Sequence, residues 1–357
     1  YFIKNRIKNN KLVNRYNEHI HICCTSEDIN NIAYSLMIKE GRDLLIKQAN
    51  MLERAIKSMG KKYKSTAMLS HTHGQPASPT TMGKEFINFH KRLSAQIDDL
   101  KNIQIKGKFN GATGNYSAHS IAYPKVNWPL FMKRFVNSLK LEFNSHTTQI
   151  EPHDYIADLC HKINHINSIL IGFSQDIWTY ISKNYFSQKN IKGEIGSSTM
   201  PHKINPINFE NAEGNLGMSN AISQYFAAKL VISRLQRDLS DSTVLRNIGL
   251  VYAYSIIAYK NILLGLNKLD LNKSNIANDL DECWEILAEP IQMVARKYQI
   301  SNSYELLKKY TRGKKVDKMT IEKIIKSLDI PASEKNRLLE LTPRKYIGYA
   351  KKLCDVK

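Results

Sequence analysis

The sequence predicts an all-α fold: a bundle of long helices followed by a small C-terminal helical domain. Three observations carry the prediction. From 153 to about 185, apolar residues fall at Ile156, Leu159, Ile163, Ile166, Leu170, Phe173, Ile177 and Tyr180, in alternating steps of three and four. That spacing draws one continuous stripe along a long helix. Helices of roughly 30 residues are more than twice the usual length and suit a bundle rather than a packed α/β domain. Period-2 runs of β-branched residues are almost absent.

The elements follow in order. A helix over 29–59 is entered through Thr25, Ser26, Glu27 and Asp28, whose hydroxyls can cap free N–H groups and whose acids suit the positive helix end. A second stripe runs Met82, Phe86, Phe89, Leu93, Ile97, Leu100. The 153–185 helix comes next, and further helices fit 208–235, 241–268 and 275–299. The most apolar run, 248–266, is broken by Lys260 and Asn261 and reads as a buried helix rather than a membrane span, which needs about 20 nearly uncharged residues. The tail from 303 reads as a separate unit with TRGKKVDK as its hinge and short helices near 319–328, 333–341 and 344–354.

Composition narrows the class. The chain has 357 residues, with 52 Lys and Arg against 32 Asp and Glu, a net charge of +20. A chain of this length buries roughly three quarters of its unfolded surface, so disorder is excluded as its main state. The charge favours polyanionic partners such as nucleic acid, an acidic membrane surface or phosphorylated metabolites. Lys and Asn are over-used throughout, however, which reads as a solvated surface rather than a local basic site. Five cysteines, at 23, 24, 160, 283 and 354, have no CxxC or His-Cys spacing. They fit a reducing compartment, and no secretory signal segment is visible, so the cytoplasm is the expected location.

Three Gly- and Pro-rich stretches interrupt the helices and hold the unusual residues: 70–79 (SHTHGQPASP), 107–124 (GKFNGATGNYSAHSIAYP) and 193–206 (GEIGSSTMPHKINP). Such turns re-aim single side chains from a rigid scaffold. In the third, Ser197 and Ser198 stand among backbone N–H groups with Lys203 nearby. A serine becomes a useful base only where donors and a cation stabilise its oxyanion. Lys203 can also stabilise a carboxylate whose α-carbon turns carbanionic. A phosphate-cradling loop is disfavoured because GxxxxGK[ST] is absent. In the first, His71 and His73 have the spacing of metal ligands but no acidic or Cys partner beside them. A turn histidine serves instead as a proton donor near neutral pH. SRLQRDLSDSTVLRN brings Arg234, Arg237 and Arg246 together with Ser242 and Thr243, a set suited to phosphate or carboxylate. TTQIEPHD offers Gln149, Glu151 and His153 ahead of the longest stripe.

GSSTMPHKINP resembles the signature loop of the fumarase/aspartase superfamily of lyases. Together with CTSEDINN, THGQPASPTTMGKE, NGATGNY, TTQIEPHDYIADL and QRDLSDSTVLRN it is similar to the bacterial-type adenylosuccinate lyases, over essentially the whole chain from about residue 18. The resemblance implies β-elimination of fumarate from adenylosuccinate to leave AMP in purine biosynthesis, without cofactor or metal. The succinylated aminoimidazole carboxamide ribotide is a possible second substrate. His73 is implied as the general acid and Ser197 as the base. Lys203 and Asn205 are implied as ligands of the succinyl carboxylates. Thr25, Ser26, Gln149 and Asn211 are implied as further substrate contacts. Arg237 with Ser242, Thr243, Val244, Leu245 and Arg246 is the implied nucleotide segment, its Ser, Thr and Arg holding the phosphate.

The resemblance also implies a homotetramer with active sites shared between subunits. It divides the chain into a remnant of an N-terminal domain over 1–24, a catalytic bundle over 25–300 and a C-terminal domain over 301–357. The family's Arg-Tyr and Asn-His-Asp segments should lie just before Tyr1, so the sequence is expected to be a piece of a longer protein. His71 stands where relatives often carry Arg. Another fumarate-releasing lyase, such as the argininosuccinate type, is the alternative. A basic helical nucleic-acid-binding protein is the remote one, and neither nucleic acid nor membrane is expected as a partner.

Overall fold

A computed structural model describes residues 1–190, 199–200, 202–311, 313 and 316–356. Helices dominate, and the five longest are Ser26–Lys62, Met82–Asn102, Asp154–Ser182, Ile207–Lys229 and Ile248–Lys268. The first two stripes behave as their periods require. Ile156 through Ile177 are buried at every stripe position, as are Met82, Phe86, Phe89, Leu93, Ile97 and Leu100. Only Tyr180, near the end of its helix, is half-buried.

Contacts divide the chain into two compact units, each taking parts of all five long helices. The first comprises Tyr1–Asn50, Ala95–Ile171 and Ala212–Lys260, and the second Met51–Ser94, Gly172–Asn211 and Asn261–Lys357. The core of the first unit contains a polar knot. The Asn167 amide donates to Ser219 Oγ at 3.1 Å and Ser255 Oγ at 3.0 Å, and its oxygen accepts from the Tyr259 hydroxyl at 2.8 Å. Every member is hydrogen-bonded, the condition under which a buried polar network specifies packing rather than weakening it. The stretch Ser240–Lys268 is apolar and long enough to cross a membrane by composition alone. Ser255 and Tyr259, in the Ile248–Lys268 part of this stretch, belong to the knot, so one face of that helix packs into the core. The second unit has an apolar cluster that includes Leu69, Leu280, Ile291, Ile324, Leu328 and Leu338.

Five of the places where the fold departs from the sequence reading have a local cause. The helix from 207 stops at Lys229 rather than 235. The Asp238 carboxylate accepts from the N–H groups of Arg234 and Ser240, offering the backbone an alternative to the helical ladder. The helix expected over 241–268 breaks into Ser240–Leu245 and Ile248–Lys268. There the Asn247 amide donates to the Thr243 carbonyl at 3.1 Å, while its N–H turns to Val244 O. The helix expected over 275–299 divides into Lys273–Asp281, a 3-10 turn over Trp284–Leu287, and Ala288–Lys297. Pro290 has no N–H to donate and fits only in a first turn. The helix expected over 344–354 is two 3-10 turns around Gly348, whose φ is +49°.

The fifth departure is 70–79. It is not a loop but most of a β-hairpin, Ala67–Thr72 against Gln75–Thr81. Pro76 and Pro79 hide it from a period-2 scan. Proline is tolerated here because each strand of a two-stranded ribbon has a free edge.

Candidate functional site

Four of the motif segments lie in the first unit and are tied into a ring. At its base is a fully buried ion pair, Asp28 Oδ1 to Lys108 Nζ at 2.8 Å, with both side chains inaccessible to solvent. Asp28 also accepts from the N–H groups of Thr25 at 2.9 Å, Asn110 at 3.1 Å and Gly111 at 3.2 Å. Asp28 is the third residue of its helix, and its hold on the Thr25 N–H is half of a capping box. Asn31 reinforces the joint, accepting from the Lys108 N–H at 2.8 Å and donating to the Lys108 carbonyl at 3.0 Å.

From there Asn110 donates to Thr147 Oγ1 at 2.8 Å, and the Gln149 amide donates to the Ala112 carbonyl at 3.0 Å. Gly114, with φ +81°, packs so close to the 147–148 backbone that a Cβ would lie 2.7 Å from Thr148 O. The Gln149 N–H then reaches the Gln236 carbonyl at 3.3 Å. Arg237 closes the ring: its Nη1 donates to Asp241 Oδ2 at 3.1 Å and its Nη2 lies 3.6 Å from Glu27 Oε2.

Burial dominates the electrostatics. It pushes the Glu27 carboxyl up to about 7, against Arg237 and with help from Asp241. It lowers the Lys108 ammonium, against its bond to Asp28. Glu151 is raised by burial while accepting from Asn144 at 2.8 Å and from the His153 N–H at 2.8 Å. His153 and His119 are both lowered by burial.

Of the residues expected to meet the nucleotide, Ser242 is half-buried and Thr243 and Arg246 are exposed. Val244 and Leu245 are core residues, so only their backbone can meet a ligand. Thr25, Gln149 and Arg237 are half-buried and Ser26 is exposed. The sequence reading missed Lys108, Asn110 and Asp241. Nothing in their spacing marks them; only the capping position of Asp28 was legible.

The second unit holds the remaining residues. His73 and Gly74 are the two-residue loop of the hairpin, at φ +54° and +74°. Positive φ at both positions is the type I′ turn that matches strand twist. It leaves the His73 side chain exposed at the tip. Two residues earlier, Lys183 Nζ donates to His71 Nε2 at 2.9 Å. Burial and that cation lower His71, and its Nε2 accepts because an ammonium can only donate. Lys203 is exposed and Asn205 half-buried, and the Ile204 carbonyl between them accepts from Gln188 Nε2 at 3.1 Å. Asn211 lies exposed on the Ile207–Lys229 helix. Ser197 lies outside the described residues. Among the described residues, no group of three or more His, Cys, Asp or Glu is placed to hold a metal.

Comparison with known proteins bears on this arrangement. A family model described as Lyase matches residues 1–220, and one described as Adenylosuccinate lyase C-terminal matches 233–347. The chain is 54% identical to an adenylosuccinate lyase of Buchnera aphidicola subsp. Schizaphis graminum, 53% to one of Legionella pneumophila (strain Corby) and 50% to one of Escherichia coli (strain K12). Each alignment covers 99% of this chain and 78% of the relative. In fold it resembles a 3-carboxy-cis,cis-muconate lactonizing enzyme from Pseudomonas putida, with a TM-score of 0.77 at 19% identity over 98% of this chain and 79% of that one. A fumarate lyase from Mesorhizobium sp. BNC1 gives 0.76 at 17% identity over 94% and 77%. With half of its residues shared along nearly its whole length, this chain belongs to the adenylosuccinate lyase family of the fumarase/aspartase superfamily.

Proposed function

We propose that the chain cleaves adenylosuccinate to AMP and fumarate. The observation that carries the reading is identity of 50–54% with adenylosuccinate lyases over 99% of the chain. The chemistry needs a base, an acid and carboxylate stabilisation together, because a proton next to a carboxylate is only weakly acidic. Ser197 takes that proton from the succinyl group. The electron pair becomes the new C=C bond as the C–N bond breaks, and His73 gives its proton to the departing nitrogen. Lys203 and Asn205 hold the succinyl carboxylates. Thr25, Ser26, Gln149 and Asn211 orient the substrate. Arg237, Ser242, Thr243 and Arg246, with the backbone at Val244 and Leu245, receive the nucleotide phosphate. The exposed imidazole at a rigid hairpin tip supports the acid role, and the ring joining Thr25, Gln149 and Arg237 supports a common binding surface. The bundle over 25–300 carries this chemistry, and 301–357 forms the small C-terminal domain.

We read the working form as a cytoplasmic homotetramer with shared sites. Two rows of exposed apolar side chains support assembly: Met37, Leu44 and Met51 on one long helix and Leu250, Ile257 and Leu264 on another. Each row repeats every seven residues, the spacing of a helix–helix seam. The test is a product assay on the full chain. Release of AMP and fumarate from adenylosuccinate is expected, and His73→Ala should lower kcat by about 10²–10⁴. Activity on argininosuccinate instead overturns the reading, as does near-normal turnover by Ser197→Ala for the base assignment.

A further inference from the structure

We infer that Glu27 competes with the substrate phosphate for the Arg237 guanidinium, making a proton taken up at Glu27 part of the preference for phosphorylated substrate. The inference rests on the reading that Arg237 meets the phosphate. Its ground is the geometry of three side chains. Arg237 donates to Asp241 at 3.1 Å and stands 3.6 Å from Glu27. The Asp241 and Glu27 side chains are 5% and 9% exposed, whereas that of Arg237 is 21% exposed. The guanidinium is therefore the member an incoming anion can reach, and it already serves two carboxylates.

The charged groups acting on Glu27 are Arg237 and Asp241 from the 236–241 segment, Lys108 from the 107–124 stretch, and its neighbour Asp28; the buried phenol of Tyr155, on the Asp154–Ser182 helix, also faces it. Lys108 is bonded to Asp28 at 2.8 Å, and among the described residues Arg237 is the cation that stands within ion-pair distance of Glu27. Asp241 has the direct hydrogen bond, while Glu27 has the longer contact. A phosphate dianion at Arg237 adds two negative charges beside two carboxylates. Neutralising Glu27 relieves that repulsion at least cost, because its carboxyl already stands at about 7.

The sign follows. Phosphate-competent protein is the fraction with Glu27 protonated, so apparent KM divides by that fraction. With a carboxyl at about 7, the fraction falls from about ten-elevenths at pH 6 to about one-eleventh at pH 8, close to a tenfold rise in KM. The substrate monoester acquires its second charge near pH 6 and by itself lowers KM as pH rises.

The experiment measures KM from pH 6 to 8 for adenylosuccinate and for its 5′-dephosphorylated nucleoside, with the unaltered chain, Glu27→Gln and Arg237→Gln. The unaltered chain should lose up to about tenfold in affinity for adenylosuccinate across that range, with no such loss for the nucleoside. Glu27→Gln should abolish the loss. A retained rise in Glu27→Gln, or the same rise with the nucleoside, overturns the inference. The two-substrate comparison needs no variant and stands even if Glu27→Gln misfolds. Arg237→Gln separates the two levels. If it leaves the preference for phosphorylated substrate intact, the phosphate reading fails. If it removes the preference while Glu27→Gln keeps the pH slope, only the role of Glu27 fails.

Discussion

Replacing Lys108 by Met tests the joint on which the first unit's site is built. Both members of the Asp28–Lys108 pair are inaccessible to solvent. The methionine stem fills much the same space without the ammonium, so the change removes the charge and its hydrogen bonds but little packing. It removes the 2.8 Å pair and the bond from Nζ to the Gly111 carbonyl at 3.2 Å. It leaves a buried carboxylate held by the N–H groups of Thr25, Asn110 and Gly111. Stranding one member of a buried pair costs about 3–5 kcal/mol. The three remaining donors place this case at the low end, about 3 kcal/mol. Asp28→Asn strands the ammonium instead and should cost a similar amount. The double variant removes both charges, so its cost should fall short of the sum of the singles by at least about 1 kcal/mol, the mark of interacting neighbours. Urea unfolding followed by circular dichroism measures all three. A Lys108→Met loss below about 0.5 kcal/mol, the level of an ordinary surface substitution, or strict additivity in the double variant, refutes the reasoning.

Three further outcomes are expected. Tyr259→Phe takes the donor from buried Asn167 Oδ1 and should destabilise by about 1–3 kcal/mol in the same assay; no change means the knot is not a constraint. Gly83→Ala would put a Cβ against the Gly60 carbonyl and 2.5 Å from the Lys64 backbone N, so a thermal-stability loss of about 1–3 kcal/mol is expected. His119 is buried, and neither ring nitrogen has a hydrogen-bond partner among the described residues. Its lowered value means that protonation favours the unfolded chain. The stability its neutral form contributes is full above the unfolded value of 6.5 and is lost as pH falls below it. His119→Phe should therefore gain stability relative to the unaltered chain between pH 8 and pH 5.5; an unchanged difference refutes the assignment.

Much of the candidate site was legible because it sits in turns of unusual composition. THGQPA and QRDLSDSTVLRN stand out in any reading of Gly, Pro, His and Arg, and the family resemblance follows from their order. The hairpin was not legible, since two prolines in one strand argue against a strand unless it lies at an edge. Lys108 was not legible either. In a chain with 52 Lys and Arg, one lysine in a Gly-rich stretch is indistinguishable from a solvated one. What singles it out is Asp28, 80 positions away.

The sequence by itself determined the long helices and the faces they bury, because an apolar period of 3.6 has one low-energy outcome for a chain of this length. It also marked the turns of unusual composition, and through them the family. Only the tertiary structure decided how Thr25, Gln149 and Arg237 come to share one ring, and why Arg237 is flanked by two carboxylates. Those relations depend on hydrogen bonds and charges between residues far apart in the chain, and their strength is set by burial, which no local pattern encodes.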